Sequence, residues 1–247
     1  MVGTNHVSKR SREEVETILR VRPAKVLVEL CESRAKSTKS NKKPSWLLVV
    51  GGLLEKIGVT SPGMREAVAR ALGLVDSQGG DMTTAMETAE TVGAEVILAD
   101  VDFDETCRKL RGVLAPSLAK VAWAVPDASA MRIVTEAVAA GRNAPDVDEA
   151  VDRATKVLER HNNYRIVVSA FETMLPELYD VLVHQRDQRL TENLQSAVEG
   201  AKGRPVVCVV GLAHVDGIEK RFLSDDASIN YIVGAPDKKN NYKLFNS

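Results

Sequence analysis

Two short segments, Gly3-Thr4-Asn5-His6 and Gly211-Leu212-Ala213-His214, repeat one Gly-x-x-His spacing near the two ends of a 247-residue chain. The second copy directly follows an apolar run, Val206-Val207-Cys208-Val209-Val210. Glycine at a strand exit lets the chain turn sharply. The histidine three residues on is then displayed above the carboxyl ends of the strands, where open α/β sheets bind ligands. Glu29 is a third candidate, because it ends the apolar run Val26-Leu27-Val28, where an unpaired carboxylate is costly to bury. Strand alternation puts it on the face of Leu27 and opposite Val28 and Leu30. Arg34, five residues later, is placed to supply a compensating charge. On the helix expected from Glu177 to Val198, the apolar stripe runs Leu178, Leu182, Leu190, Leu194 and Ala197. Arg186 fills the position that should bridge its gap, with Asp187 beside it, and a charged pair there needs partners.

Each feature alone has a structural explanation. A Gly-x-x-His histidine can be a capping or hydrogen-bonded core residue, Glu29 can cap a helix, and Arg186 with Asp187 can form an ion pair at a helix contact. Their joint occurrence is what suggests a functional crevice. His161 and His184 lie among polar neighbours, and a surface role is expected for both.

The elements that must position these residues read as a mixed α/β chain. Val26–Leu30 after Pro23 and Val206–Val210 after Pro205 are continuous apolar runs, as expected of strands buried on both faces of a mostly parallel sheet. Glu95–Ala99 is a third strand and Asn230–Val233 a fourth, while Arg165–Val168 fits either strand or helix. A capping box at Ser11-Arg12-Glu13-Glu14 opens a helix through Arg20. Further helices fit Gly80–Gly93, Asp104–Leu114, Asp127–Ala140, Asp146–Glu159 and Glu177–Val198. Arg34–Lys43 reads as a polar, basic loop. The expected organisation is one domain over 1–247 with a large helical insertion at about 103–175.

Composition narrows the partners. Hydrophobic residues make up 44% of the chain and aromatics only 4%, so the core must be built from Val, Leu, Ile and Ala. A net charge of -1 gives no global attraction to nucleic acid or an anionic membrane. Three cysteines, Cys31, Cys107 and Cys208, form no Cys-x-x-Cys pair and read as buried free thiols. No apolar leader core follows Met1, and Trp46–Leu54 is too short to span a bilayer, which needs about 20 residues. A cytoplasmic or organelle-associated setting is expected.

The same residues carry a family resemblance. Gly3–Ser8, Val28-Glu29-Leu30-Cys31-Glu32-Ser33-Arg34, Gly80-Asp81-Met82 with Gly93-Ala94, Arg186-Asp187 and Val210–Val215 resemble, in order, the motifs of the TraB/PrgY/GumN family, to which the Tiki metalloproteases are distantly related. The resemblance runs from Gly3 to about Phe222. It implies an α/β fold like those of the erythromycin esterase-like and ChaN-like proteins, and a metal-dependent hydrolase or peptidase. On that reading His6, His214 and Glu29 hold a divalent metal (Mn, Co or Zn) or an activated water. Arg34 and Arg186 then stabilise negative charge, and Asp187 orients a neighbour. A peptide or small-molecule ligand and a homo-oligomer are the expected partners. The alternatives are a non-catalytic regulatory or ligand-binding domain and an organelle-surface adaptor.

The chain also departs from the family pattern. Only Met1 and Val2 precede Gly3 where the family has a strand, so truncation or loss of part of that strand is expected. Asp100-Val101-Asp102 stands where many members have Asp-Arg-Asp, His184 where a glutamate often stands, and Asp81 where glutamate is common. Many relatives carry a transmembrane segment at the C-terminus, and none is expected within these 247 residues.

Overall fold

The computed structural model describes residues 1–4, 9–40, 80–121, 127–160, 162–225, 231–232 and 244–245. It divides into two compact units. The first holds a four-stranded sheet in the order β1-β4-β2-β3, formed by β1 (Val2–Thr4), β2 (Lys25–Val28), β3 (Glu95–Leu98) and β4 (Val206–Gly211). Each neighbouring pair is parallel, with Val2 opposite Val209, Val28 opposite Val209 from the other side, and Leu27 opposite Ile97. Continuous rather than alternating apolar strands signal this arrangement, because both faces of the sheet are covered.

The two faces have separate cores. Val26, Val28, Leu30, Val207 and Val209 pack with Val15 and Leu19 of helix α1 (Lys9–Leu19), and with Met82, Ala85, Met86 and Ala89 of a helix over Asp81–Val92. We number that helix α3, after α2 (Glu32–Ser40). On the other face Leu27, Cys208 and Val210 pack with two later helices through Leu190, Leu194, Ala197, Val215, Ile218 and Phe222. Burying a Leu, Ile or Val side chain contributes roughly 1.5–3 kcal/mol. These aliphatic clusters therefore compensate for the scarcity of aromatic residues.

The second unit is helical among its described residues. Nearly all of α4 (Phe103–Val121) belongs to it, as do α5 (Ala128–Gly141), α6 (Val147–Leu158), α7 (Asn163–Met174) and α8 (Pro176–Tyr179). Asp127 caps α5 by accepting from the Ala130 N–H at 2.8 Å, and Asp146 caps α6 by accepting from Glu149 at 2.8 Å. Arg165–Val168, which fits strand or helix by sequence, is helical and lies within α7. A π-helical turn, Asp180–His184, precedes α9 (Gln185–Gly200), and α10 is Leu212–Asp225. Tyr231–Ile232 (β5) and Leu244–Phe245 (β6) form a short antiparallel pair.

Three sequence expectations are corrected. Arg34–Ser40 is not a loop but lies in α2, and residues 41–43 fall outside the described set. Ser11 does not open α1, which begins at Lys9, so it sits in the first turn rather than at the cap. The helix expected over Glu177–Val198 is divided into α8, the π turn and α9. The i→i+5 bonding of a π turn adds a residue to one turn and shifts the phase of an apolar stripe. Among the described residues, no helix is long and apolar enough to cross a membrane.

Candidate functional site

Parallel strands end on one side of a sheet, and three of these four deliver a charged or titratable side chain just past their ends. Glu29 follows β2, Asp100 stands two residues after β3, and His214 stands three residues after β4, in the first turn of α10. His6, which follows β1, lies outside the described residues, as does His161. α9 supplies Arg186 and Asp187 from its first turn, and α2 supplies Arg34. None of Glu29, Arg34, Asp100, Arg186, Asp187 and His214 is more than 9% exposed.

Arg186 is the hub of one half of the cluster. Its Nε donates to Asp100 Oδ1 at 3.0 Å and its Nη2 to Asp100 Oδ2 at 2.8 Å, a two-pronged contact that only a guanidinium makes. The same Nη2 donates to Glu29 Oε1. Arg34 Nη1 donates to Asp100 Oδ2 at 3.1 Å and to the Glu29 carbonyl at 3.3 Å. Burial alone would lower the pKa of Arg186, but Asp100 and Glu29 outweigh it and hold the guanidinium above its ordinary value. It is a permanent cation.

His214 is the hub of the other half. Its Nδ1 lies 2.6 Å from Asp187 Oδ1, and its Nε2 lies 3.3 Å from Glu29 Oε1. Burial works against the charged ring and Arg186 repels it. The Glu29 charge and the hydrogen bonds to Asp187 and Glu29 prevail and push its pKa up to about 9. In the ion-free chain the ring therefore carries protons on both nitrogens at neutral pH, each facing a carboxylate. Glu29 joins the halves, and its second oxygen, Oε2, accepts the Gly211 N–H at 2.6 Å. Asp187 Oδ2 is 3.6 Å from Arg221 Nη1.

The local sequence explains this placement. Glu29 faces α9 and α10 because it shares the side of Leu27, whose cluster contains Leu190 and Ile218. Leu190, Leu194 and Ala197 are buried along one face of α9, and Arg186 extends that face by one turn toward the strand ends. The glycine of the first Gly-x-x-His segment has a packing role. A Cβ on Gly3 would lie 2.7 Å from Val215 Cγ2 and 3.1 Å from Leu212 Cδ2, so only glycine lets β1 run this close to the start of α10. Gly211 serves the cluster through its main-chain N–H to Glu29.

Of the residues singled out in the sequence, Glu29, Arg34, Arg186, Asp187 and His214 come together. Arg186 and His214 face the Glu29 carboxylate, while Arg34 bonds the Glu29 carbonyl. Asp100 is a member of the cluster that sequence reasoning misses, although a carboxylate just past an apolar strand is the same signal that marks Glu29. All three cysteines are buried free thiols, and burial pushes Cys208 up to about 12, which keeps it an inert thiol. His184 is half-buried at the end of the π turn.

Residues 79–222, which hold α3, Asp100, α9 and the second Gly-x-x-His segment, match the TraB/PrgY/gumN family. The chain belongs to that family. The uncharacterized protein MJ1365 of Methanocaldococcus jannaschii is 26% identical over 224 residues, covering 88% of this chain and 51% of that protein. A TraB domain-containing protein of Bos taurus is 28% identical over 266 aligned residues, covering 96% of this chain and 65% of that protein. The chain thus spans between about half and two thirds of the length of these curated relatives.

For a divalent metal, the described residues offer the Glu29 carboxylate and the His214 imidazole, donor types that Mn, Co and Zn sites use. Among the described residues, no group of three or more His, Cys, Asp and Glu is arranged to hold an ion. The two donors face each other at 3.3 Å, so an ion held by both would take the place of the His214 Nε2 proton, and the third of the expected set, His6, lies outside the described residues.

Proposed function

We propose that this TraB-family chain is a hydrolase of the metal-dependent kind, acting on a peptide or another carbonyl substrate at the carboxyl edge of its sheet. The observation that carries the reading is the buried line Asp187–His214–Glu29, with contacts of 2.6 Å and 3.3 Å, fastened to Arg186. A carboxylate, an imidazole and a second carboxylate in line can position a water and pass its proton. Asp187 fixes the ring of His214 through Nδ1, so that Nε2 is directed at Glu29. The Gly211 N–H and Arg186 fix the Glu29 carboxylate, and Asp100 with Arg34 fixes Arg186. His6, His214 and Glu29 would hold the ion, with the His214 Nε2 proton released on binding. When bound, a divalent ion lowers the pKa of its water and polarises a carbonyl oxygen. Arg186 supplies fixed positive charge beside the site, where a tetrahedral oxyanion would gain most from it. A sheet with its polar cluster at the carboxyl edge also supports kinship with the erythromycin esterase-like and ChaN-like folds.

The test is metal binding by the purified chain with Mn, Co and Zn, comparing wild type with His6→Ala and His214→Ala, followed by a peptide-hydrolysis screen. One ion per chain, lost with either histidine, and turnover that needs it support the reading. Absence of binding and turnover in the wild type overturns it. One observation favours a second reading: each member of the charged cluster is buried against a partner of opposite charge, as in a structural ion network. A regulatory or ligand-binding domain, or an organelle-surface adaptor, would keep such a cluster without turnover.

A further inference from the structure

Gly217 lies in the middle of α10 with an ordinary helical backbone, so chain conformation does not require a glycine there. Space does. A Cβ built at this position would lie 1.9 Å from Asp187 Oδ2, 2.7 Å from Asp187 Cγ and 3.2 Å from Arg221 Nη1. The Asp187 carboxylate therefore fills the volume that any other side chain at 217 would occupy. Spacings of three and four residues put His214, Gly217 and Arg221 on one face of α10. Asp187 lies against that stripe. Oδ1 meets His214 Nδ1 at 2.6 Å, Oδ2 faces Arg221 Nη1 at 3.6 Å, and bare helix at Gly217 lies between. Arg221 is itself braced, since its Nη1 donates to the Gly217 carbonyl at 3.0 Å. The Asp187 main chain is tied as well, its carbonyl accepting from Thr191 Oγ1 at 2.7 Å.

We propose that Gly217 is a positioning residue for the His214 site: the missing side chain forms the seat in which Asp187 holds the imidazole, and Arg221 closes its outer side. This deepens the proposed hydrolytic site. Its readouts need no turnover, so its failure is distinct from failure of that reading. The sign of one substitution separates it from a bland helix glycine. Gly→Ala in a helix interior ordinarily stabilises, because glycine is the poorer helix former. Here Gly217→Ala must displace the carboxylate.

The experiment is a double-mutant cycle on the full chain, using wild type, Gly217→Ala, Asp187→Ala and the pair. Two readouts are taken: the urea midpoint, and the far-downfield proton resonance of a histidine N–H bonded to a carboxylate, assigned by its absence in His214→Gln. Gly217→Ala alone is expected to lower the midpoint and abolish the resonance. In the Asp187→Ala background, where the volume is vacant, the same change is expected to leave the midpoint unchanged or raise it. Should Gly217→Ala alone fail to fold, recovery of folding in the pair supports the seat, and no recovery overturns it. Persistence of the resonance in Gly217→Ala, or an equal drop in midpoint in both backgrounds, also overturns it.

Discussion

Asp187 Oδ1 sits 2.6 Å from Nδ1 of His214, although the two residues come from different helices, α9 and α10, and are separated by strand β4. Both groups are almost fully buried, so the contact is a charge-assisted hydrogen bond shielded from water. Asp187→Asn keeps the shape and removes the charge. The His214 pKa is then expected to fall from its value of about 9, and folding to weaken by about 2–3 kcal/mol. Titration of the ring by NMR and urea unfolding check the two parts. An unchanged His214 pKa would show that Glu29 alone holds the proton.

The raised pKa of His214 makes stability depend on pH in a definite direction. The folded state binds the proton more tightly than the unfolded chain, whose histidine titrates near the ordinary 6.5. The stabilisation is therefore fully present below about 6.5 and is lost as pH rises through about 9. The loss is on the order of 3 kcal/mol, since each tenfold gain in proton affinity on folding corresponds to about 1.4 kcal/mol. Urea unfolding of wild type and His214→Gln across pH values from about 6 to about 10 should show the wild-type advantage shrinking with rising pH. A constant difference would mean that the ring folds neutral.

Arg186 cannot be replaced by another cation without loss, because it forks onto Asp100 while reaching Glu29. Arg186→Met leaves two buried carboxylates without their shared cation, and a cost of about 3–5 kcal/mol is expected. Arg186→Lys should recover only part of it, because an ammonium cannot make the two-pronged contact. Chemical denaturation of both variants, read beside Glu29→Gln, measures this directly. Equal stability of the Lys variant and wild type would show that charge alone matters.

Much of this arrangement is legible in the sequence because its signals are local. Continuous apolar runs mark β2 and β4, strand alternation puts Glu29 on the side of Leu27, and the phase of Leu190, Leu194 and Ala197 singles out Arg186. Asp127 and Asp146 read as helix starts, and both are N-caps. What is not legible depends on contacts distant in sequence. Arg34 reads as part of a basic loop, yet it lies in a helix with its guanidinium turned inward to Asp100, 66 residues away. The π turn before α9 leaves no mark in an apolar stripe beyond a gap that a charged pair also explains. Asp100 shares the strand-end position that marks Glu29, but a single carboxylate gives no sign of the two arginines that meet it.

Asp100 yields a prediction of its own. Its two oxygens accept from Arg186, Arg34 and the Val101 N–H, the last at 2.8 Å, so it is a hinge point between α2, α9 and the loop after β3. Asn193, two turns along α9 from Arg186, donates to the Ala99 carbonyl at 2.8 Å and holds the same loop from the same helix. Asp100→Asn removes the charge that faces both arginines and should cost about 3 kcal/mol or more, as removal of one partner from a buried ion pair does. Asn193→Ala loses one largely neutral hydrogen bond and should cost about 1 kcal/mol. Because the two residues steady the same loop, the double variant is expected to cost less than the two single changes added together. Urea unfolding of the four proteins measures the coupling, and strict additivity would show that Asp100 and Asn193 act on the site independently.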